Sequence, residues 1–224
     1  MFKNVGNNQN FDIFQSRLNG LNWSEPVLKM SNNVNTFTNE TFSSYTPGGR
    51  SLYYIIGDDK NSDITFSISD NIEETSWRSG QAISSVINSR FNEGSVFVSA
   101  DGQKMYFSSK GHNSMGGYDI FVSYVDDLGH WGKPINLGYP INTSYDDLFY
   151  SATASGRYAY IASNRPGGKG GLDIYKVTYW GADKPMTTDF EEQLMASIAS
   201  PVSDNSVAEP ISIEEKSLTV FKGR

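Results

Sequence analysis

The chain has 224 residues, 38% of them hydrophobic and 13% aromatic, enough to build a packed core. Its net charge is −7, and −6 of that falls in residues 183–217, where Asp183, Asp189, Glu191, Glu192, Asp204, Glu209, Glu214 and Glu215 stand against Lys184 and Lys216. The rest is nearly balanced, so nucleic acid is excluded as a partner for want of a basic stripe. The absence of cysteine excludes disulfides and thiolate metal sites, and no apolar run approaches the roughly 18 residues of a helical membrane span.

Twenty-one glycines, eight prolines and aromatics that are mostly Tyr and Phe predict an all-β chain with many turns. The opening, Met1 to Phe11, is Asn-rich and lacks the apolar region of a signal peptide. It fits a cytoplasmic protein or a start that lies further upstream, and the repeats favour the second. Phe11-Asp12-Ile13-Phe14 is predicted to be a third strand of a repeating unit. From there the same markers recur. Asp12, Asp63, Asp119 and Asp173 each precede Ile, and Trp23, Trp77 and Trp131 are spaced by 54 and 54. Asn35-Thr36, Asn88-Ser89 and Asn142-Thr143 recur at 53 and 54. Five residues after each Asn comes an acid (Glu40, Glu93, Asp147), then a glycine (Gly49, Gly102, Gly156), then a tyrosine (Tyr53, Tyr106, Tyr160).

The second unit reads as four strands. Ser95 to Val98 is followed by the turn Ala100-Asp101-Gly102, where Gly supplies a positive φ. Lys104 to Ser108 alternates as a strand, a Gly-rich loop spans Lys110 to Gly117, and Tyr118 to Tyr124 forms the third strand. A turn leads to Trp131 and a weaker segment with Pro134, which suits an edge. Four strands in about 54 residues fit a β-propeller blade better than a sandwich domain, which needs about seven strands. The expected architecture is therefore an all-β propeller of antiparallel blades over residues 1–180, an incomplete ring of about three to four blades, with two full units at 40–92 and 93–146. Residues 181–217 read as an acidic linker with a short helix at 188–199, where Phe190, Leu194 and Ile198 share a face behind a capping box of Thr188 and Glu191. Residues 218–224 read as the start of a following domain.

At two stretches the sequence resembles a known repeat type. Ser99-Ala100-Asp101-Gly102-Gln103-Lys104-Met105-Tyr106-Phe107-Ser108-Ser109 resembles the core of TolB-type, WD-repeat-like propellers, and Ser163-Asn164-Arg165-Pro166-Gly167-Gly168-Lys169-Gly170-Gly171-Leu172-Asp173-Ile174-Tyr175 is similar to a stretch common in Bacteroidota envelope propellers. The first repeat departs from it, with Thr46-Pro47-Gly48-Gly49 at the turn and a shortened loop at Gly57 to Ser62. The resemblance implies a periplasmic or outer-membrane-associated protein of the OmpA-family or type IX secretion group. It implies protein partners and membrane association only through other segments or partners.

The residues themselves point away from catalysis. Glu40, Glu93 and Asp147 recur once per unit, as fold determinants do, and are expected to accept backbone N–H bonds in the interblade turn. The Asp of each Asp-Ile pair is expected to tie down the preceding loop. The two histidines, His112 and His130, have no metal-ligand spacing. Gly167 to Gly171 lacks the Gly-Lys-Ser/Thr ending of a phosphate loop, and no Gly-x-Ser-x-Gly elbow occurs. No catalytic residue, metal or cofactor is expected. The weakest point of that reading is the adjacent pair Asp146 and Asp147, on which a propeller glycosidase or peptidase-associated domain is the alternative. Lys110, His112, Asn164, Arg165 and Lys169 are the candidate ligand-binding residues, forming a polar, mildly basic rim on one loop face.

Overall fold

The computed structural model describes residues 10–26, 32–46, 48–70, 76–180 and 217–221. Among them the fold is all-β. A two-stranded ribbon, β1 (Leu18–Asn19) and β2 (Asn22–Trp23), precedes three four-stranded sheets. The first sheet runs β3 (Glu40–Tyr45), β4 (Ser51–Asp58), β5 (Asn61–Ile68), β6 (Gln81–Ala82). The second runs β7 (Glu93–Val98), β8 (Lys104–Ser109), β9 (Asp119–Tyr124), β10 (Ile135–Asn136). Both are antiparallel meanders in chain order, as a propeller blade requires.

The third sheet pairs β11 (Asp147–Ala152), β12 (Tyr158–Ser163) and β13 (Asp173–Trp180) antiparallel, and then takes β14 (Ser217–Phe221) parallel to β13 at its outer edge. The segment expected to open a further domain thus supplies this outer strand, and Val220 faces Tyr179. That is the position where Trp131 bridges Val125 in the second blade. The helix expected at 188–199 lies outside the described residues.

The strands form where the sequence demands them. Gly49, Gly102 and Gly156 all turn the first hairpin at φ of 67–68°, a region closed to most side chains. Each turn is shut by the same bond, from the N–H of Thr46, Ser99 or Thr153 to the carbonyl of Ser51, Lys104 or Tyr158. The closing bond is therefore kept in the first blade, where Gly48 also takes a positive φ of 84°. Each first strand carries a bulge, which adds local twist. β9 is buried at five successive positions because both of its faces pack.

The core lies mainly between blades. One cluster joins Tyr53, Ile55 and Ile64 of the first blade to Val96, Met105 and Phe107 of the second. Another joins Ile120, with Phe97 and Tyr106, to Tyr150, Ile161 and Tyr175 of the third. A third places Ile13 and Val34 against Leu52, Tyr54 and Trp77. The first strands β3, β7 and β11 lie side by side, and among the described residues the first and third sheets do not touch. The described residues form three consecutive propeller blades in an open arc.

Phe11 to Phe14, expected as a third strand, does not join a ladder. Among the described residues no first and second strands of its own unit lie beside it, and it is seated on the next blade through the Phe11 carbonyl and the Asn35 amide. The repeat tryptophans keep equivalent pairings, Trp23 with Leu18, Trp77 with Ser69 and Trp131 with Val125. Their burial differs. Trp77 and Trp131 fold onto the junction with the preceding blade, whereas Trp23, with no such blade beneath it among the described residues, is 69% exposed.

Candidate functional site

The interblade turns and the loops between second and third strands meet on one face, and the repeat markers define their contacts. At each of three junctions the Asn side chain pairs with the backbone of the Asp-Ile isoleucine. Ile13 N–H donates to Asn35 Oδ1 at 2.9 Å, and Asn35 Nδ2 donates back to the Ile13 carbonyl at 3.0 Å. Asn88 does the same to Ile64 at 3.0 and 2.9 Å, and Asn142 to Ile120 at 2.8 and 2.8 Å. A primary amide has the donor–acceptor geometry of a peptide group, so each Asn acts as one extra residue of strand on the edge of the preceding blade. The isoleucines beneath are buried (Ile13 3%, Ile64 0% and Ile120 0% exposed).

The repeated acids lock the same turns. All three are fully buried. Glu40 accepts from the Thr36 and Thr38 hydroxyls, Glu93 from Ser89 N–H and Oγ and from Ser109 Oγ, and Asp147 from Thr143 N–H and Oγ1. The expected backbone bonds are present for Glu93 and Asp147; hydroxyls supply the others, together with the Arg165 guanidinium at Asp147. Burial drives the Glu93 carboxyl up to about 7 against its Ser hydrogen bonds, with Asp63 adding repulsion.

The Asp-Ile aspartates fasten loops where expected in two units. Asp119 Oδ2 accepts Met115 N–H at 2.8 Å and Asn136 Nδ2 at 2.7 Å, and Asp173 Oδ2 accepts Lys169 N–H at 2.8 Å. Burial raises the Asp119 carboxyl, with Asp147 among the causes. Asp63 occupies the same repeat position but follows a shorter connection. The tight β4–β5 turn before it is capped by Asp58 instead, through Lys60 and Asn61 N–H.

The five candidate ligand-binding residues do not form one rim. Arg165 lies inside the fold, its side chain 10% exposed. It bonds Asp147 Oδ1 at 2.7 Å, the Pro140 and Ile141 carbonyls and Ser163 Oγ, and stacks on Tyr175. His112 takes the corresponding place one blade earlier. Its Nε2 donates to the Ile87 carbonyl at 2.8 Å, and its ring packs on Phe107 and Phe121. Asn164 exchanges hydrogen bonds with Asp146, through the Asp146 N–H and Oδ2. Lys110 and Lys169 are exposed, and the Lys110 ammonium lies 4.6 Å over the Tyr118 ring.

The pair Asp146 and Asp147 does not converge. Asp147 is buried on Arg165, while Asp146 Oδ1 accepts Tyr118 N–H at 3.0 Å and its Oδ2 faces Asn164. A shallow depression of about 400 Å³, lined by Asn33, Thr36, Tyr54 and Thr65 among others, has no carboxylate or histidine in its walls. Among the described residues no group of three or more His, Asp or Glu side chains could hold a metal ion.

The loop face carries a feature that sequence reasoning missed. Each interblade turn presents an exposed aromatic two or three residues before the acid: Phe37 (93%), Phe91 (47%) and Tyr145 (43%). Met115 and Leu172, from the loops between second and third strands, are also exposed, and Arg90 lies 4.9 Å over Phe91. An aromatic two or three residues before each of Glu40, Glu93 and Asp147 was the available signal.

No protein-family model matches the sequence, and no curated protein matches it. Solved structures do. The chain is similar to a putative TolB from Agrobacterium tumefaciens, at 16% identity and a TM-score of 0.46, over 68% of this chain and 48% of that one. It is similar to TolB from Acinetobacter baumannii, at 14% identity and a TM-score of 0.43, over 63% and 30% of the two chains. It is also similar to the periplasmic gluconolactonase PpgL of Pseudomonas aeruginosa, at 12% identity and a TM-score of 0.42, over 76% and 47%. The likeness is one of fold, and the chain spans less than half the length of each.

Proposed function

We propose that this chain is a non-catalytic, protein-binding scaffold module of a cell envelope. It works in the periplasm or at the outer membrane, within a peptidoglycan-anchored or type IX secretion type of assembly. The observation that carries this reading is the row Phe37, Phe91 and Tyr145, one exposed aromatic per junction, with Arg90 and Lys110 beside it. Aromatic side chains and Arg are the groups enriched at protein interfaces and their hot spots. The buried state of Glu40, Glu93 and Asp147 supports the absence of hydrolysis, because a carboxylate sealed by its own turn reaches no substrate. The resemblance of Ser99–Ser109 and Ser163–Tyr175 to TolB-type envelope repeats supports the setting.

Two measurements test it. A screen with chromogenic glycosides, esters, lactones and peptides yields no turnover above buffer, and turnover abolished by Asp146→Asn would contradict the proposal. Envelope proteins retained on the immobilised chain are lost when Phe91 and Tyr145 are both changed to Ser, while the melting temperature stays the same. Identical retention by the double variant would remove the aromatic row from the function.

A further inference from the structure

The second and third blades each fill one hollow beside the interblade turn with a side chain from the loop after the second strand. In the second blade it is His112, packed on Phe107 and Phe121 with its Nε2 on the Ile87 carbonyl. In the third it is Arg165, stacked on Tyr175 and bonded to the Ile141 carbonyl, Ser163 and Asp147. Both fillers are planar N–H donors. In the first blade Tyr54 and Thr65 hold the repeat positions of Phe107 and Phe121, each one residue beyond the repeat Tyr or Ile. There β4 passes to β5 through Asp59 and Lys60 alone, so no loop residue can reach back. The hollow stays open as the depression of about 400 Å³ with Asn33, Thr36, Tyr54, Ile56 and Thr65 in its walls, a size within the range of small-ligand sites. Among the described residues no Arg, Lys or His stands in those walls.

Two observations say what kind of group would complete it. The first is that two wall hydroxyls have their protons committed elsewhere. Thr36 Oγ1 donates to Glu40 Oε1, and Ser79 Oγ donates to Asn33 Oδ1 at 3.3 Å. Toward the hollow these oxygens can only accept, so they suit a ligand rich in donors. The second is the charge behind them. Glu40 lies beyond Thr36 and keeps one carboxyl oxygen, Oε2, without a hydrogen-bond partner, whereas Asp147 at the same repeat position has Arg165 at 2.7 Å. Burial first, and the Glu40 charge second, push the Tyr54 hydroxyl up to about 12, so the field of that carboxyl reaches the wall.

We propose that the hollow of the first blade receives an arginine side chain of a partner protein, whose guanidinium completes the first junction from outside as Arg165 completes the third from within. A guanidinium carries five N–H donors and no acceptor, and it is more weakly hydrated than an ammonium. It therefore leaves water for such a hollow more readily than a lysine head group does. The hollow is defined by its own walls, and Phe91 and Tyr145 take no part in it, so this inference and the proposed function can fail separately.

A backbone-amide NMR titration of the 224-residue protein tests it. The probes are N-acetyl-arginine amide, its neutral isostere N-acetyl-citrulline amide, free arginine, and a blocked tripeptide with arginine between two glycines. Shifts are expected at Thr36, Thr65 and Gly80, with a Kd of about 1 mM for the arginine amide. The citrulline compound binds roughly tenfold more weakly or worse, and the tripeptide binds no worse than free arginine. Glu40→Gln weakens the arginine amide roughly tenfold. Ala82→Leu, at an exposed position in the wall, closes the hollow and abolishes the shifts at an unchanged melting temperature, so the test stands even if Glu40→Gln does not fold. Equal binding of the citrulline compound, shifts that survive Ala82→Leu, or no shift at any of the three amides would each overturn the proposal. Binding of free arginine with exclusion of the tripeptide would overturn it too, by making the hollow a small-molecule site.

Discussion

The Asn clamps and the acids of the interblade turns stand on different energetic footings. A clamp satisfies one backbone donor and one acceptor that would otherwise be buried without partners, each costing about 1–3 kcal/mol if orphaned. The acids are costlier to hold. Glu93 is buried with one carboxyl oxygen lacking a hydrogen-bond partner, and its folded-state pKa is about 7 against 4.5. Between those values the folded protein binds more protons than the unfolded chain, so stability falls as pH rises through that window. The window corresponds to about 2–3 kcal/mol. Glu93→Gln is expected to flatten the dependence between pH 4.5 and 7 and to raise stability at pH 8, read from denaturant midpoints. Unaltered pH dependence would exclude Glu93 as its source. At the third junction Asp147 has Arg165. Arg165→Met strands that buried carboxylate and is expected to cost about 3–5 kcal/mol, with Asp147→Asn restoring a large part. The guanidinium's place was not legible in sequence, because a Gly-rich loop gives no sign of which way its Arg points. The available hint was the acid itself: Asp147 is one methylene shorter than Glu40 and Glu93 and leaves room for a long base.

At the scale of strands and turns, most of the architecture was readable. The Asp-Gly turn, the alternation of Lys104 to Ser108 and the weak fourth strand each follow from short-range rules, and the sheets β3–β6 and β7–β10 fall within 40–92 and 93–146. Phe11 to Phe14 was misjudged because its pattern is that of a third strand, while among the described residues it joins no ladder. The clamps were likewise illegible: Asn35, Asn88 and Asn142 stood out as markers, but a side chain that bonds the backbone of another blade is revealed only once the blades are packed. Glycines separate two cases that composition cannot. Gly57 has φ of +128°, and a Cβ there would lie 2.0 Å from the Asn61 carbonyl oxygen, whereas Gly170 has open space. Gly57→Ala is expected to cost about 2 kcal/mol or more, and Gly170→Ala to stay within about 0.5 kcal/mol. Thermal unfolding of the two variants reads the contrast. Equal effects would mean that the β4–β5 turn is not as tight as described.

For the whole molecule, stability resides in the junctions. Each is a hydrophobic cluster roofed by an Asn clamp and an acid-locked turn, so the arc behaves as a short array of neighbour contacts. That explains why the polar residues Glu40, Glu93 and Asp147 recur once per unit: their repetition is the repetition of the junction. The most direct test is amide hydrogen exchange at Ile64 and Ile120 in the wild type, in Asn88→Ala and in Asn142→Ala. Both amides are expected to be strongly protected in the wild type. Asn88→Ala should release Ile64 alone, and Asn142→Ala should release Ile120 alone. Protection that survives both substitutions, or is lost at both sites together, would contradict the view that each Asn holds its own junction.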